Sequence, residues 1–250
     1  MITIKSDAQI AYMRRANQIV RDTLDLLRDH TKPGVSTYEL NRLAHEYILS
    51  QNAVPSFLNY HGFPASICVS VDCEVVHGIP SKNKILKEGS IVSYDCGAIF
   101  AGWHGDAART VAVGLISPEC QQLIDVTEQC FFKAVNSIVA GVTRLGDIGH
   151  TIQQHAESFG YGVVRELVGH GIGRDMHEDP EIPNFGMAGR GIRLSEGMTL
   201  AIEPMINMGT YKVNINRADG WTVTTADGLP AAHYENTVLI KDDGVEILTL

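Results

Sequence analysis

Gly169-His170-Gly171-Ile172-Gly173-Arg174-Asp175-Met176-His177-Glu178-Asp179-Pro180 is the stretch around which the rest of this chain falls into place. Two histidines seven residues apart, set among three glycines and closed by a proline, do not make an ordinary helix face. Glycines at 169, 171 and 173 allow the backbone to crowd a ligand or turn tightly, at an entropic cost. A lone histidine is most often a structural group. The company it keeps changes the weight here, because acids stand before and after it in strand-like contexts: Asp95, Asp106, Glu203 and Glu235.

Working outward, 250 residues could form one large domain or two small ones, with ample length to bury a real core, and the composition is that of a soluble globular protein. A net charge of −9 argues against DNA, RNA or an anionic membrane as the main partner. The first 27 residues mix Lys5, Asp7, Arg14 and Arg15 into their apolar positions, so no signal peptide is read there. No apolar run is long enough for a membrane span. Five cysteines (68, 73, 96, 120 and 130) without CxxC spacing suggest neither a disulfide framework nor a thiolate zinc site. A cytoplasmic location is expected.

Local signals predict the elements. Ser6 to Gln9 reads as a capping box before Ile10, Met13, Ile19 or Val20, Leu24 and Leu27 at helical spacing, and Pro33-Gly34 ends that helix. A second box, Ser36 to Glu39, opens a helix with Leu40, Leu43, Ala44, Tyr47 and Ile48 on one face. Strand-like runs follow at 66–71 and 89–95, with a hairpin corner expected within Gly102 to Gly105 leading into Asp106 and the strand Thr110 to Val113. Ser117-Pro118-Glu119 caps a helix expected to stop near Gly141, and another is expected from Gly146 to Ser158. Strands are read at 198–202 and 234–240.

A weak internal repeat runs through these elements. Gly34-Val35-Ser36 recurs as Gly141-Val142-Thr143, His77-Gly78-Ile79 as His170-Gly171-Ile172, and Glu88-Gly89…Asp95 as Glu196-Gly197…Glu203. The order suggests two similar α/β halves, about 1–115 and 116–250, packed about a pseudo-twofold axis within a single domain spanning 1–250. Acids from both halves would converge between them.

Antiparallel pairing could bring Asp95 and Asp106 to one sheet face, where two ionised carboxylates repel unless a cation sits between them. With Glu203, Glu235 and one imidazole this becomes an oxygen-rich set carrying more negative charge than one divalent ion neutralises. It suits two divalent metals sharing carboxylates. The bland alternative, four unrelated surface acids, fits poorly with apolar strands beside Asp95, Glu203 and Glu235.

These residues carry a resemblance. Asp95, Gly102-Trp103-His104-Gly105-Asp106, the 169–180 stretch, Gly197 to Pro204 and Tyr234-Glu235-Asn236-Thr237 resemble the ordered motifs of the dinuclear "pita-bread" metallopeptidases. His77-Gly78-Ile79-Pro80, preceded by Tyr60-His61-Gly62-Phe63-Pro64, is similar to the methionine aminopeptidases in particular. The spacing of 25 residues between His177 and Glu203, and a start directly in the catalytic region, resemble the short type I form. The resemblance implies an α+β fold with a curved antiparallel sheet covered by helices. It implies removal of the initiator methionine from nascent proteins and peptides with a small second residue, by hydrolysis using a metal-bridging water.

It further implies two divalent ions per chain (Co, Mn, Fe(II) or Zn). Asp95 would hold one, His170 and Glu203 the other, with Asp106 and Glu235 bridging. Glu203 would also shuttle a proton, His177 would steady the scissile carbonyl, and His77 would bond the substrate amide. Tyr60, Phe63, Cys68 and Trp221 would contact the methionine side chain. The implied partners are N-terminal methionines of nascent chains and a transient ribosome encounter, with a monomer expected. The sequence departs from its relatives at Met176, commonly aromatic, and at Asp72-Cys73, commonly Asn-Glu, where an auxiliary monovalent cation would sit. Rival readings are an X-Pro peptidase, a metal-free binding protein of the same fold and a single-zinc hydrolase. The last would typically show HExxH or several His and Cys ligands, and one matched histidine does not supply them.

Overall fold

The computed structural model describes residues 2–250. Four helices form where the caps and apolar spacing demand them: α1 (Asp7–His30), α2 (Thr37–Ser50), α3 (Pro118–Asn136) and α4 (Leu145–Ser158). The Ser6 amide donates to Gln9 Oε1 at 2.9 Å, the Ser36 hydroxyl accepts from Glu39 N at 3.2 Å, and Ser117 Oγ accepts from Cys120 N at 3.2 Å. α3 ends at Asn136, earlier than the expected stop near Gly141.

The strands in chain order are β1 (Val54–Pro55), β2 (Ile67–Val71), β3 (Glu74–Val76), β4 (Ile91–Phe100), β5 (Trp103–Ala112), β6 (Gly162–Val163), β7 (Gly169–Gly171) and β8 (Glu178–Ile182). They continue with β9 (Thr199–Ile202), β10 (Met205–Asn207), β11 (Val213–Ile215), β12 (Val223–Thr225), β13 (Ala231–His233), β14 (Glu235–Lys241) and β15 (Gly244–Ile247). The main sheet runs β1-β4-β5-β14-β9-β7-β8, with β2 also on β4 and β15 also on β14, and its pairings are antiparallel. Two three-stranded sheets, β13-β10-β6 and β11-β12-β3, flank it.

Two helix-covered cores match the two halves. Ile19, Val20, Leu24 and Leu27 of α1 and Leu40, Ala44 and Ile48 of α2 pack on Val92, Tyr94 and Cys96 of β4. Leu123, Cys130 and Phe131 of α3 and Ile148 and Ile152 of α4 pack on Leu200, Ile202, Val238 and Ile240. Each fully buried side chain of this size stabilises by about 1.5–3 kcal/mol.

The repeat is visible in backbone pairing. The Gly34 amide donates to Leu86 O, and the Gly141 amide to Leu194 O, both at 2.8 Å. Isolated bridges join Ser36 to Ile85 and Arg144 to Arg193, an offset of 108 in both members. Gly89 and Gly197, offset equally, both adopt left-handed backbone ahead of β4 and β9. That offset carries Asp95 onto Glu203. The His77-Gly78-Ile79 match does not share it: His170 pairs with Ala201, whose counterpart Ser93 pairs with Ser70, so Ser70 rather than His77 stands where His170 does.

The hairpin turns at Ala101-Gly102, both at positive φ, with Phe100 opposite Trp103. Gly105 therefore lies inside β5 rather than at the corner. A Cβ there would collide with Ala16 and Asn17, so Gly105 lets α1 press directly on the strand. Asn17 Oδ1 in turn accepts from the Asp106 amide at 3.2 Å, tying helix to strand beside the acid.

Candidate metal centre

The hairpin register places Asp106 opposite Gly97 and Asp95 opposite Ala108, so the two aspartates are diagonal neighbours on one sheet face. β14 lies alongside with Glu235 opposite Ala108. β9 delivers Glu203 just past its end, and β7 beside it carries His170. The Thr237 hydroxyl donates to Asp106 O at 2.8 Å, locking the central strands at the level of the acids.

The glycines of the opening stretch are there for close packing between strands. None of the three has positive φ. A Cβ on Gly169 would strike the Ala201 carbonyl, one on Gly171 the Asp179 carbonyl, and one on Gly173 the Glu178 carboxylate. They let β7 and its continuation lie deep between neighbours, which carries His170 to the acids.

Asp95, Asp106, His170, Glu203 and Glu235 all line one cavity of about 260 Å3. Asp106, His170 and Glu235 each offer a ligand atom within 4.8 Å of one another. His170 Nε2 is 3.6 Å from Glu203 Oε1 and 3.7 Å from Asp106 Oδ2. Those separations exceed hydrogen bonds yet match donor atoms arranged about a common cation. His170 Nδ1 bonds the Gly171 carbonyl at 2.9 Å, which aims Nε2 at the acids.

Burial dominates the electrostatics. It pushes the Asp95 carboxyl up to about 7, against a hydrogen bond with Asp106 that pulls it down. It also raises Asp106, Glu203 and Glu235 well above the carboxylate range, helped by the other acids. The same burial pushes His170 down to about 3. Asp95 Oδ1, Asp106 Oδ1 and Glu235 Oε1 are buried without a hydrogen-bond partner. Orphaned carboxylate oxygens facing a neutral imidazole fit divalent cations: positive charge would ionise the acids and satisfy their lone pairs.

The remaining sequence-predicted residues sit on the same cavity. The His177 ring lies 4.3 Å from that of His170, and its Nδ1 bonds the Tyr60 hydroxyl at 2.7 Å. Tyr60 thus touches a histidine as well as the cavity wall. His77 adopts left-handed backbone at φ 58°, followed by Gly78, where any Cβ would strike Val69. Burial pushes its ring down to about 4. Trp221 meets Phe63 edge-on at 5.2 Å and His77 at 6.3 Å. Phe63 and Cys68 belong to a buried apolar cluster with Phe57, Ala65 and Met176, with Tyr60, Ile79 and Trp221 packed against it. Met176, 3% exposed, supplies part of the cavity's apolar wall. The Cys68 thiol is raised well above its usual value by burial and then by Asp95, so it is a packing group rather than a reactive thiolate. The Asp72 carboxylate accepts from Ser90 Oγ and Ile91 N, both at 3.0 Å, and so serves its own turn.

Sequence reasoning missed His233 and Phe57. His233 is fully buried beside Glu203 and Glu235, and nothing in its local pattern sets it apart. Phe57 lies in a proline-flanked loop without periodicity.

A curled antiparallel sheet whose two halves each deliver acids to a buried, apolar-walled pocket defines a metallohydrolase of the pita-bread class. The profile of metallopeptidase family M24 matches residues 11–242. The methionine aminopeptidase of Clostridium acetobutylicum is 60% identical over 250 residues, covering 100% of this chain and 99% of that relative. The crystal structure of methionine aminopeptidase from Rickettsia prowazekii superposes with a TM-score of 0.98 at 46% identity, covering 100% of both chains. An Xaa-Pro dipeptidase from Bacillus anthracis shares the fold at TM-score 0.79 and 24% identity, covering 98% of this chain and 61% of that one. The chain belongs to metallopeptidase family M24, on its methionine aminopeptidase branch.

Proposed function

We propose that this chain removes the initiator methionine from nascent proteins and peptides whose second residue is small, in the cytoplasm, with residues 1–250 acting as one catalytic domain. The observation that carries the reading is the orphaned carboxylate set at the floor of a cavity walled by Phe57, Phe63, Cys68, Met176 and Trp221. An unbranched, polarisable thioether suits such walls, through apolar contact and sulfur–aromatic packing.

Asp95, Asp106, His170, Glu203 and Glu235 would hold two divalent ions, whose four positive charges balance four carboxylates. Their identity among Mn(II), Fe(II), Co(II) and Zn(II) is not dictated by mixed oxygen and imidazole ligands. When bound, the ions supply Lewis acidity and a water acidic enough to act as nucleophile near neutral pH. Glu203 takes the proton of the attacking water and passes it to the leaving amine. With the Tyr60 hydroxyl donating to Nδ1, His177 keeps its proton on Nε2 and donates it to the developing oxyanion. His77, held neutral by burial, bonds the substrate amide beyond the scissile bond. The His77–Trp221 contact fixes its ring.

The test is a metal titration of chelator-stripped protein under anaerobic conditions, scored by elemental analysis and by methionine release from Met-Ala-Ser. Two ions per chain and turnover only in the loaded protein are expected. Full turnover without metal, or a single ion at saturation, would contradict the two-ion centre.

A further inference from the structure

We propose that His233 is a positioning residue for the carboxylate cluster, donating its Nε2–H to orient Glu203 and Glu235 from behind the cavity. The inference rests on the dinuclear reading above.

The Glu203 carboxylate stands between two imidazoles. Its Oε1 is 3.6 Å from His170 Nε2, and its Oε2 is 3.7 Å from His233 Nε2. His233 Nε2 also lies 3.9 Å from Glu235 Oε2. His170, Glu203 and Glu235 line the cavity, whereas His233 does not. It therefore reaches substrate and ions through the two glutamates.

Both His233 ring nitrogens are buried without a hydrogen-bond partner, and the residue is 1% exposed. A buried polar ring in that condition is costly, and the carboxylates in front of it are the acceptors within reach. Shortening the 3.7 Å separation from Glu203 Oε2 to a hydrogen bond's about 2.9 Å would give the ring nitrogen its partner. The competing cation nearby is otherwise engaged: Arg109 donates to the Ala108 and Glu235 carbonyls and to Asn236 Oδ1. His77 is the other ring whose field reaches His233.

The backbone is arranged to hold the ring in place. The His233 amide donates to Thr110 Oγ1 at 2.8 Å, and that same hydroxyl donates to His233 O at 2.9 Å. Ser93 Oγ contacts Thr110 Oγ1 at 2.7 Å, and Met205 of β10 pairs with His233. Two of the main-sheet strands, β4 and β5, thus fix the position of one imidazole behind Glu203.

Calorimetric titration of Co(II) alone into the chelator-stripped full-length chain tests this, with the visible spectrum of the Co(II) form as a second readout. The parent is compared with His233→Leu, His233→Gln and His170→Ala. His233→Leu is expected to weaken Co(II) binding about 10–100-fold and alter the spectrum, as losses of outer-sphere donors do. His233→Gln, which keeps an N–H, is expected to restore both. Should His233→Leu not fold by circular dichroism, His233→Met carries the same comparison. Unchanged affinity and spectrum in the folded apolar variant, with His170→Ala weakened, would overturn the role of His233 alone. Parent-like binding in His170→Ala would overturn the metal centre itself.

Discussion

Glu203 and His177 have separable duties, and single substitutions divide them. Glu203→Gln removes the proton acceptor and weakens a metal-facing group while leaving the apolar packing untouched. Turnover should fall by about 10²–10⁴-fold or more, with the melting temperature of the metal-free protein maintained or raised, because a buried, raised-pKa carboxyl is lost. A folded, metal-loaded and fully active variant would refute the assignment. His177→Ala should lower kcat by about 10²–10³-fold with metal content unchanged, as read by steady-state kinetics beside elemental analysis. Loss of metal instead would mean that His177 is a ligand. At this scale the sequence was legible wherever a residue sat inside a spaced motif: Asp95, Asp106, His170, Glu203 and Glu235 do reach one cavity. His233 was not legible, because its importance comes from Glu203 and Thr110, far away in the chain.

β7 shows how an element converts composition into chemistry. Local sequence alone reads its glycines as ligand-crowding or turn residues, yet none has positive φ and they serve close strand packing. Only the pairing of β7 with β8 and β9 reveals that, and no local rule encodes it. Gly171→Ala should therefore force β8 away at the Asp179 carbonyl, destabilising by about 1–3 kcal/mol in denaturant titration. Co(II) affinity should weaken in the same variant, since His170 rides on the strand. Helix starts were more legible, because N-capping is local, whereas the end of α3 at Asn136 falls short of the expected stop near Gly141. Ser6, Ser36 and Ser117 all cap where read, and Ser117→Ala should cost about 1 kcal/mol without affecting metal binding. The His77-Gly78-Ile79 repeat misled because three-residue identity carries no pairing information. The 108-residue offset succeeded because it recurs in hydrogen-bonded pairs.

Across the whole molecule, two halves bring like charges into one buried place, so stability, pH and metal are coupled. His77 and His104 are pushed down to about 4 by burial, below the 6.5 of an exposed imidazole. Their folded pKa is depressed, so their contribution is present above pH 6.5 and is lost as pH falls toward 4. The acids act oppositely. Asp95 is raised to about 7, so its contribution is present below the ordinary carboxylate range and lost as pH rises through about 7. Metal-free protein should accordingly melt lower on both sides of a weakly acidic optimum. Added Mn(II) should raise the melting temperature most on the alkaline side, where binding need not displace protons. A metal-induced rise that is largest in acid would contradict this. The fold was legible as two α/β halves with acids between them. The curl that makes those acids meet required the register of the hairpin and β14. The most direct measurement of the central claim is cleavage of Met-Ala-Ser and Ala-Pro-Ala side by side, by the same metal-loaded preparation. Methionine released from the first peptide, with the second left intact, is the result predicted; cleavage of the proline peptide with the methionine peptide untouched would contradict it.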